Sequence, residues 1–178
     1  MVLTNMKRAE HDLEKPQRLS SCGRPTPWMH MALLDDKGQQ VAQGEPGEIC
    51  VRGPMIMKGY LDMPEQTAEA FAGGWLHTGD IGRLDDEGFL YIVDRTKDMI
   101  VTGGFNVFPR EVEDVLSAHE AVGQVAVIGV PDEQWGEAVK AVVILRPGFE
   151  SSDALIQSMQ QLVKKAKGSV QTPKTIDF

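Results

Sequence analysis

Residue types that commonly do chemistry are few in this sequence, and most are poorly spaced for it. His11, His30, His77 and His119 are scattered, so they offer no cluster of metal ligands. Cys22 and Cys50 lack metal-type spacing and read as two reduced thiols. No Gly-Lys pair occurs, so these residues contain no Gly-rich phosphate loop of the usual form. Gly103-Gly104-Phe105-Asn106 is too short for a dinucleotide fingerprint, and there is no nucleophile elbow. Taken singly, Asp80 belongs to a Gly-Asp turn pair, Arg95 and Lys97 to a solvated strand end, and Gly103-Gly104 to a hairpin turn.

A set of strings in fixed order lifts the chain above that bland account. Trp75-Leu76-His77-Thr78-Gly79-Asp80 is followed by Asp94-Arg95-Thr96-Lys97-Asp98 and then by Gly103-Gly104-Phe105-Asn106-Val107-Phe108-Pro109-Arg110-Glu111-Val112-Glu113. Val127-Ile128-Gly129-Val130-Pro131-Asp132 and Trp135-Gly136-Glu137 come last, while Gly47-Glu48-Ile49, Arg52-Gly53 and Lys58-Gly59-Tyr60 lie upstream. From about Ser21 to Phe178 this succession resembles the adenylate-forming ligases, the acyl- and aryl-CoA synthetases and their luciferase relatives. The resemblance implies a reaction in which a carboxylic acid is joined to AMP, pyrophosphate leaves, and the acyl group passes to CoA.

Roles come with it, string by string. Asp80 is expected to accept hydrogen bonds from both ribose hydroxyls of ATP, a task suited to an acceptor-only carboxylate. Arg95 is expected at the same ribose or at the phosphate, where a permanent charge and fixed donors help. Lys97 matches the hinge about which the small domain turns between adenylating and thioester-forming arrangements. Gly103 and Gly104 match the glycines beside which the pantetheine of CoA enters, Gly104 giving the close approach. Glu111 and Glu113 are read as structural, and Trp75, Trp135 and the methionines as core.

Other family elements are not in these 178 residues. The Ser/Thr/Gly-rich phosphate loop is absent. The Tyr-Gly-x-Thr-Glu motif is expected just before Met1, and the Pro-x-x-x-x-Gly-Lys string with the catalytic lysine just after Phe178. Lys174 is not a substitute by spacing. No catalytic residue and no metal ligand is therefore assigned in the chain. ATP or AMP, Mg2+ and CoA are expected of the parent enzyme, with none bound tightly by this portion alone. The acid is read as fatty or aryl. A non-catalytic binding module that retains the ligase fold is the alternative.

The elements that must position these residues change in texture along the chain. Residues 1–20 lack periodicity and read as a tail or a stretch from a larger context. Short strands punctuated by glycine follow at 28–34, 48–52, 75–77, 81–84 and 89–93, with a short helix from Pro64. They predict a small antiparallel sheet or distorted barrel, the last β-rich subdomain (1–94) of a large AMP-binding domain. Beyond it, a hairpin at Gly103-Gly104, a helix from Pro109, strands at 125–130 and 138–145 and a helix from 151–153 to Gly168 predict a small mobile α+β C-terminal domain (95–178). The fold class is thus α+β.

Composition sets outer limits. Apolar residues are 42% and charged residues 25%, ordinary for a globular protein. A net charge of −8 argues against nucleic acid as a partner, since a phosphate backbone calls for a basic face. No apolar run reaches the roughly 18 residues a membrane helix needs, and no leader-like stretch opens the chain, so a cytoplasmic location is expected.

Overall fold

The computed structural model describes residues 2–178, which form two compact units, one ending at Thr96 and the other beginning at Lys97. In chain order the first carries strands β1 (Thr4–Asn5), β2 (Arg24–Pro25), β3 (His30–Leu34) and β4 (Gly47–Arg52), helix α1 (Pro64–Ala70), and strands β5 (Leu76–Leu84) and β6 (Leu90–Arg95). Strands β3-β4-β5-β6 make one antiparallel sheet, open rather than closed into a barrel. Two-residue alternation in β4 divides its core: Ile49 and Val51 pack with Met29, Leu33, Leu76 and Leu90, whereas Cys50 packs with Ala32, Leu34 and Trp75 on the other face.

Residues 2–20 are not a loose tail. β1 pairs antiparallel with β2. Further along, Cys22 N–H donates to the Leu90 carbonyl at 2.7 Å and Leu90 N–H to the Gly23 carbonyl at 2.9 Å, tying the segment to β6. Lys15 and Arg18 pair with Glu87 at 3.2 and 2.6 Å, and hydrogen bonds from these two cations hold the Glu87 carboxyl below its usual range. Arg18 and Arg24 also lie over the Phe89 ring. Cations and hydrogen bonds, not an apolar stripe, fasten this stretch, so periodicity carries no trace of it.

The second unit contains β7 (Ile100–Thr102), β8 (Phe105–Val107), helix α2 (Pro109–Ser117), β9 (Val122–Asp132), β10 (Gly136–Leu145), helix α3 (Asp153–Lys167) and β11 (Thr175–Asp177). β10 is its central strand. It pairs with β9 along its whole length, with β11 in parallel from Lys140 to Val142, and with β7 at Gly136. Pro131 and Asp132, expected in the connection, extend β9 instead. Pro109 opens α2, where its missing N–H costs nothing, and Val112 and Leu116 at i and i+4 are wholly buried. Ser152 caps α3 by accepting from Leu155 N–H at 3.2 Å, and Met159 and Val163 bury its inner stripe. Among the described residues no helix is long and apolar enough to cross a membrane.

Leu116 is wholly buried in the core cluster to which both helices and the sheet contribute. Leu116→Ala is expected to destabilise the second unit by about 3 kcal/mol, while Gln157→Ala on the exposed face of α3 changes stability by less than about 0.5 kcal/mol. Urea unfolding of the two variants, followed by circular dichroism, checks both values.

Candidate functional site

The sheet of the first unit brings together two residues that the strings kept fifteen positions apart: Asp80 on β5 and Arg95 on β6 are direct cross-strand partners. Their side chains form a loose pair, Arg95 Nε lying 3.7 Å from Asp80 Oδ1, and both are substantially solvent-accessible. Neither group is locked by a close partner, so each keeps hydrogen-bonding capacity for a ligand. Asp80 lies at an open cleft of about 450 Å3 that Met55, Met57, Tyr60, Leu76, His77 and Thr78 also line. One charged acceptor and a guanidinium beside an apolar floor suit a hydroxylated, partly flat ligand.

Behind Asp80 stands a cluster that sequence reading did not resolve. Glu48, Cys50 and His77 bring a carboxylate oxygen, a thiol and a ring nitrogen within 4.8 Å of one another. These groups are engaged with each other and with the backbone. His77 Nδ1 lies 2.7 Å from Glu48 Oε2 and 3.4 Å from Cys50 Sγ, and Nε2 lies 3.3 Å from the Ala72 carbonyl. The remaining Glu48 oxygen accepts from Gly79 N–H at 3.0 Å. Burial pushes the Cys50 thiol up to about 12, and the Glu48 charge adds to the effect. A carboxylate directly before the apolar run Ile49-Cys50-Val51 is the signal the sequence offers: where such a group is drawn toward the sheet it needs a donor.

Lys97 sits in a single 3-10 turn, Thr96–Asp98, with its side chain exposed. Gly103 and Gly104 form the two-residue turn between β7 and β8 with φ of +57° and +82°, the left-handed pair a tight hairpin turn requires. A Cβ on Gly103 would lie 2.5 Å from the Trp135 ring, whereas beside Gly104 there is open space. Trp135 is therefore not core: it is 44% exposed, and with Thr102, Phe105, Val139, Val170 and Lys174 it lines a cleft of about 330 Å3. Exposed Met55, Met57 and Met63 depart from the core reading as well, unlike Met29 and Met159, which follow it. Trp75 does pack against a buried cluster and carries Arg52 on its face. Lys174 Nζ is bound to Asp132 Oδ2 at 2.7 Å. That bond, helped by the Trp135 and Gln134 amides, holds the Asp132 carboxyl below its usual range.

The chain is similar to known proteins along nearly its whole length. Residues 1–61 match the model of the AMP-binding enzyme family, and residues 111–178 match that of the AMP-binding enzyme C-terminal domain. The medium/long-chain-fatty-acid–CoA ligase FadD8 of Mycobacterium tuberculosis is 56% identical over 99% of this chain and 31% of its own length. A long-chain-fatty-acid–CoA ligase of Salmonella typhimurium is 45% identical over 94% of this chain and 29% of its own. Among solved structures, the amide bond synthetase McbA of Marinactinospora thermotolerans superposes with a TM-score of 0.83 at 37% identity, over 99% of this chain and 35% of that one. The o-succinylbenzoate CoA synthetase MenE of Bacillus subtilis, in complex with its acyl-adenylate OSB-AMP, gives 0.79 at 33% identity, over 98% and 34%. The chain thus spans about a third of the length of these relatives.

The two thiols should differ sharply in reactivity. A thiol whose pKa is raised to about 12 is almost wholly protonated at mild pH, and Cys50 is also 0% exposed, whereas Cys22 is exposed. Titration with a thiol reagent near pH 8 is expected to modify Cys22 rapidly in the native chain and Cys50 only after denaturant is added. Rapid native reaction of both would contradict the burial of Cys50.

Proposed function

Because the chain belongs to the AMP-binding enzyme family, the adenylate-forming ligases, we propose that it serves as the C-terminal part of an ATP-dependent, AMP-forming acid–CoA ligase. In that reaction a carboxylate oxygen attacks the α-phosphorus of ATP as the bond to pyrophosphate breaks. The CoA sulfur then attacks the acyl carbon and AMP leaves. A fatty acid is the preferred substrate class, since the relatives at 56% and 45% identity are named as fatty-acid–CoA ligases. The cytoplasm is the proposed setting.

The observation that carries this proposal is the cross-strand pairing of Arg95 with Asp80, which lines the cleft. Asp80 would accept from the ribose hydroxyls, and Arg95, released from a contact as long as 3.7 Å, would turn to the ribose or the phosphate. Magnesium enters with the nucleotide; Glu48 is already engaged by Gly79 and His77, so no residue of this chain is assigned to it. The strings divide the chain after Asp94, but Arg95 is paired into the sheet of the first unit. We therefore assign the residues through Thr96 to the end of the large nucleotide-binding domain and those from Lys97 to the small mobile domain, with Lys97 as hinge. Open space beside Gly104 and the aromatic cleft at Gly103 support an approach by CoA on that hairpin.

Two measurements test this account. The chain by itself holds no Gly-Lys phosphate loop, so with ATP, magnesium and a panel of fatty acids it should release no pyrophosphate above a heat-inactivated control, and turnover would overturn the assignment as a part. In the complete ligase carrying this segment, Lys97→Pro should slow thioester formation from preformed acyl-adenylate about 100-fold, the scale expected when reacting groups are misplaced, while adenylation stays comparatively intact. Equal loss in both half-reactions would remove Lys97 from the hinge.

A further inference from the structure

The register of strands β4 and β5 breaks between two pairs, Cys50 with His77 and Glu48 with Ile81. Between them, β4 supplies Ile49 alone while β5 supplies Thr78, Gly79 and Asp80, so the β5 backbone leaves the ladder over those residues. Gly79 adopts φ +75° with open space where a Cβ would lie, so glycine serves the backbone conformation here and not a tight contact. Gly79 is in register with no residue of β4 or β6, and Glu48 Oε1 accepts its N–H at 3.0 Å. Oε2 of the same carboxylate takes the His77 ring at 2.7 Å, on the other side of Thr78. Asp80 follows directly, its N–H donating to Thr78 Oγ1 at 3.2 Å.

We propose that Glu48 is a positioning residue for nucleotide use: its carboxylate ties Gly79, in the middle of the Thr78-Gly79-Asp80 bulge, to His77, the last paired residue before it, and so aims Asp80 at the ribose. The proposal rests on the reading of Asp80 as the ribose acceptor. Charge suits the task, because an ionised acceptor holds a backbone N–H more strongly than a neutral one, and Glu48 is mostly shielded from solvent, at 21% side-chain exposure. His77 stiffens the clamp, since its Nε2 is anchored on the Ala72 carbonyl and Cys50 Sγ lies against its Nδ1. A mobile bulge would leave the Asp80 carboxylate averaged over several directions, and binding would then carry the cost of ordering it.

Pyrophosphate release by the complete ligase carrying this segment, with ATP and fatty acid varied separately, provides the test. Asp80→Ala, Glu48→Ala and Glu48→Gln are compared. Glu48→Ala should raise the ATP KM about tenfold, with kcat and the acid KM little changed, because a ribose contact is shared by ground and transition states. Glu48→Gln keeps an oxygen acceptor for the Gly79 N–H but loses the charge and the second acceptor facing His77, and should raise the ATP KM about threefold with the acid KM unchanged. Amide exchange at Gly79 should quicken in Glu48→Ala and remain slow in Glu48→Gln. If Asp80→Ala raises the ATP KM and Glu48→Ala does not, the clamp is wrong and the ribose assignment survives. If Asp80→Ala leaves the ATP KM unchanged, the ribose assignment fails and the clamp falls with it. Should Glu48→Ala not fold, Glu48→Gln decides: a rise confined to the ATP KM supports the clamp, and equal movement of the ATP and acid KM, or none, overturns it.

Discussion

A backbone amide that leaves a β-ladder in a half-buried place must find another acceptor, and at Gly79 that acceptor is the Glu48 carboxylate. Much of the first unit is arranged around this bond. Glu48 reaches it only because β4 lies between β3 and β5, its flanking Ile49, Cys50 and Val51 buried in the sheet's two cores. His77 reaches the same carboxylate because it is in register with Cys50, two residues away on that strand. With the bulge fixed, pairing with β4 resumes at Ile81, and Asp80 just before it faces Arg95 on β6. An excursion of three residues is thereby held between two stretches of regular pairing, and the exposed carboxylate it presents sits on rigid backbone, not on a loop.

The second unit solves its positioning problem through β10. One strand with β9 on one edge and β7 and β11 on the other gathers the Gly103-Gly104 hairpin, the Trp135 turn and the C-terminal strand around a single backbone. The turn after β9 is fixed from several sides. Asp132 accepts from the Gln134 and Trp135 amides and from Lys174, while the Trp135 carbonyl accepts from Gly103 N–H at 2.9 Å. Lys174 is thus occupied structurally in this arrangement. Its own amide donates to the Val139 carbonyl at 2.8 Å, which places the ammonium against Asp132. The Trp135 ring is thus 44% exposed although the turn that carries it is held from several sides.

What the sequence made legible divides along physical lines. The helices from Pro64, Pro109 and Ser152 were readable because proline, caps and 3.6-residue spacing are local signals. The hairpin at Gly103-Gly104 was readable because two adjacent left-handed positions demand glycine. The packing of residues 1–20 was not, since it depends on Arg18 and Lys15 meeting Glu87 about seventy positions later. Strand β11 escaped because three residues paired in parallel with a distant strand carry no pattern of their own. Strands read separately at 75–77 and 81–84 are a single β5, and what divides them is the bulge at Thr78-Gly79-Asp80. Asp80 and Arg95 were found through ordered strings, but Glu48 and His77, which lie behind them, were visible only as members of those strings without a task.

A hinge can divide two half-reactions only if the groups on either side of it are held firmly while the hinge itself is not. Arg95 ends β6 and is paired in register with Asp80. Ile100, at the start of β7, is 2% exposed and belongs to the core of the second unit. Between those anchors lie Thr96, Lys97, Asp98 and Met99, a single 3-10 turn and one further residue, with none of the four buried. A turn this short has little of its own to break when its dihedral angles change, and an exposed lysine side chain opposes no rotation by packing. The boundary between the compact units falls between Thr96 and Lys97. A residue that belongs to neither ladder can absorb a large dihedral change without disturbing Asp80 on one side or the Gly103-Gly104 hairpin on the other, which is what alternation between adenylation and thioester formation would demand of Lys97.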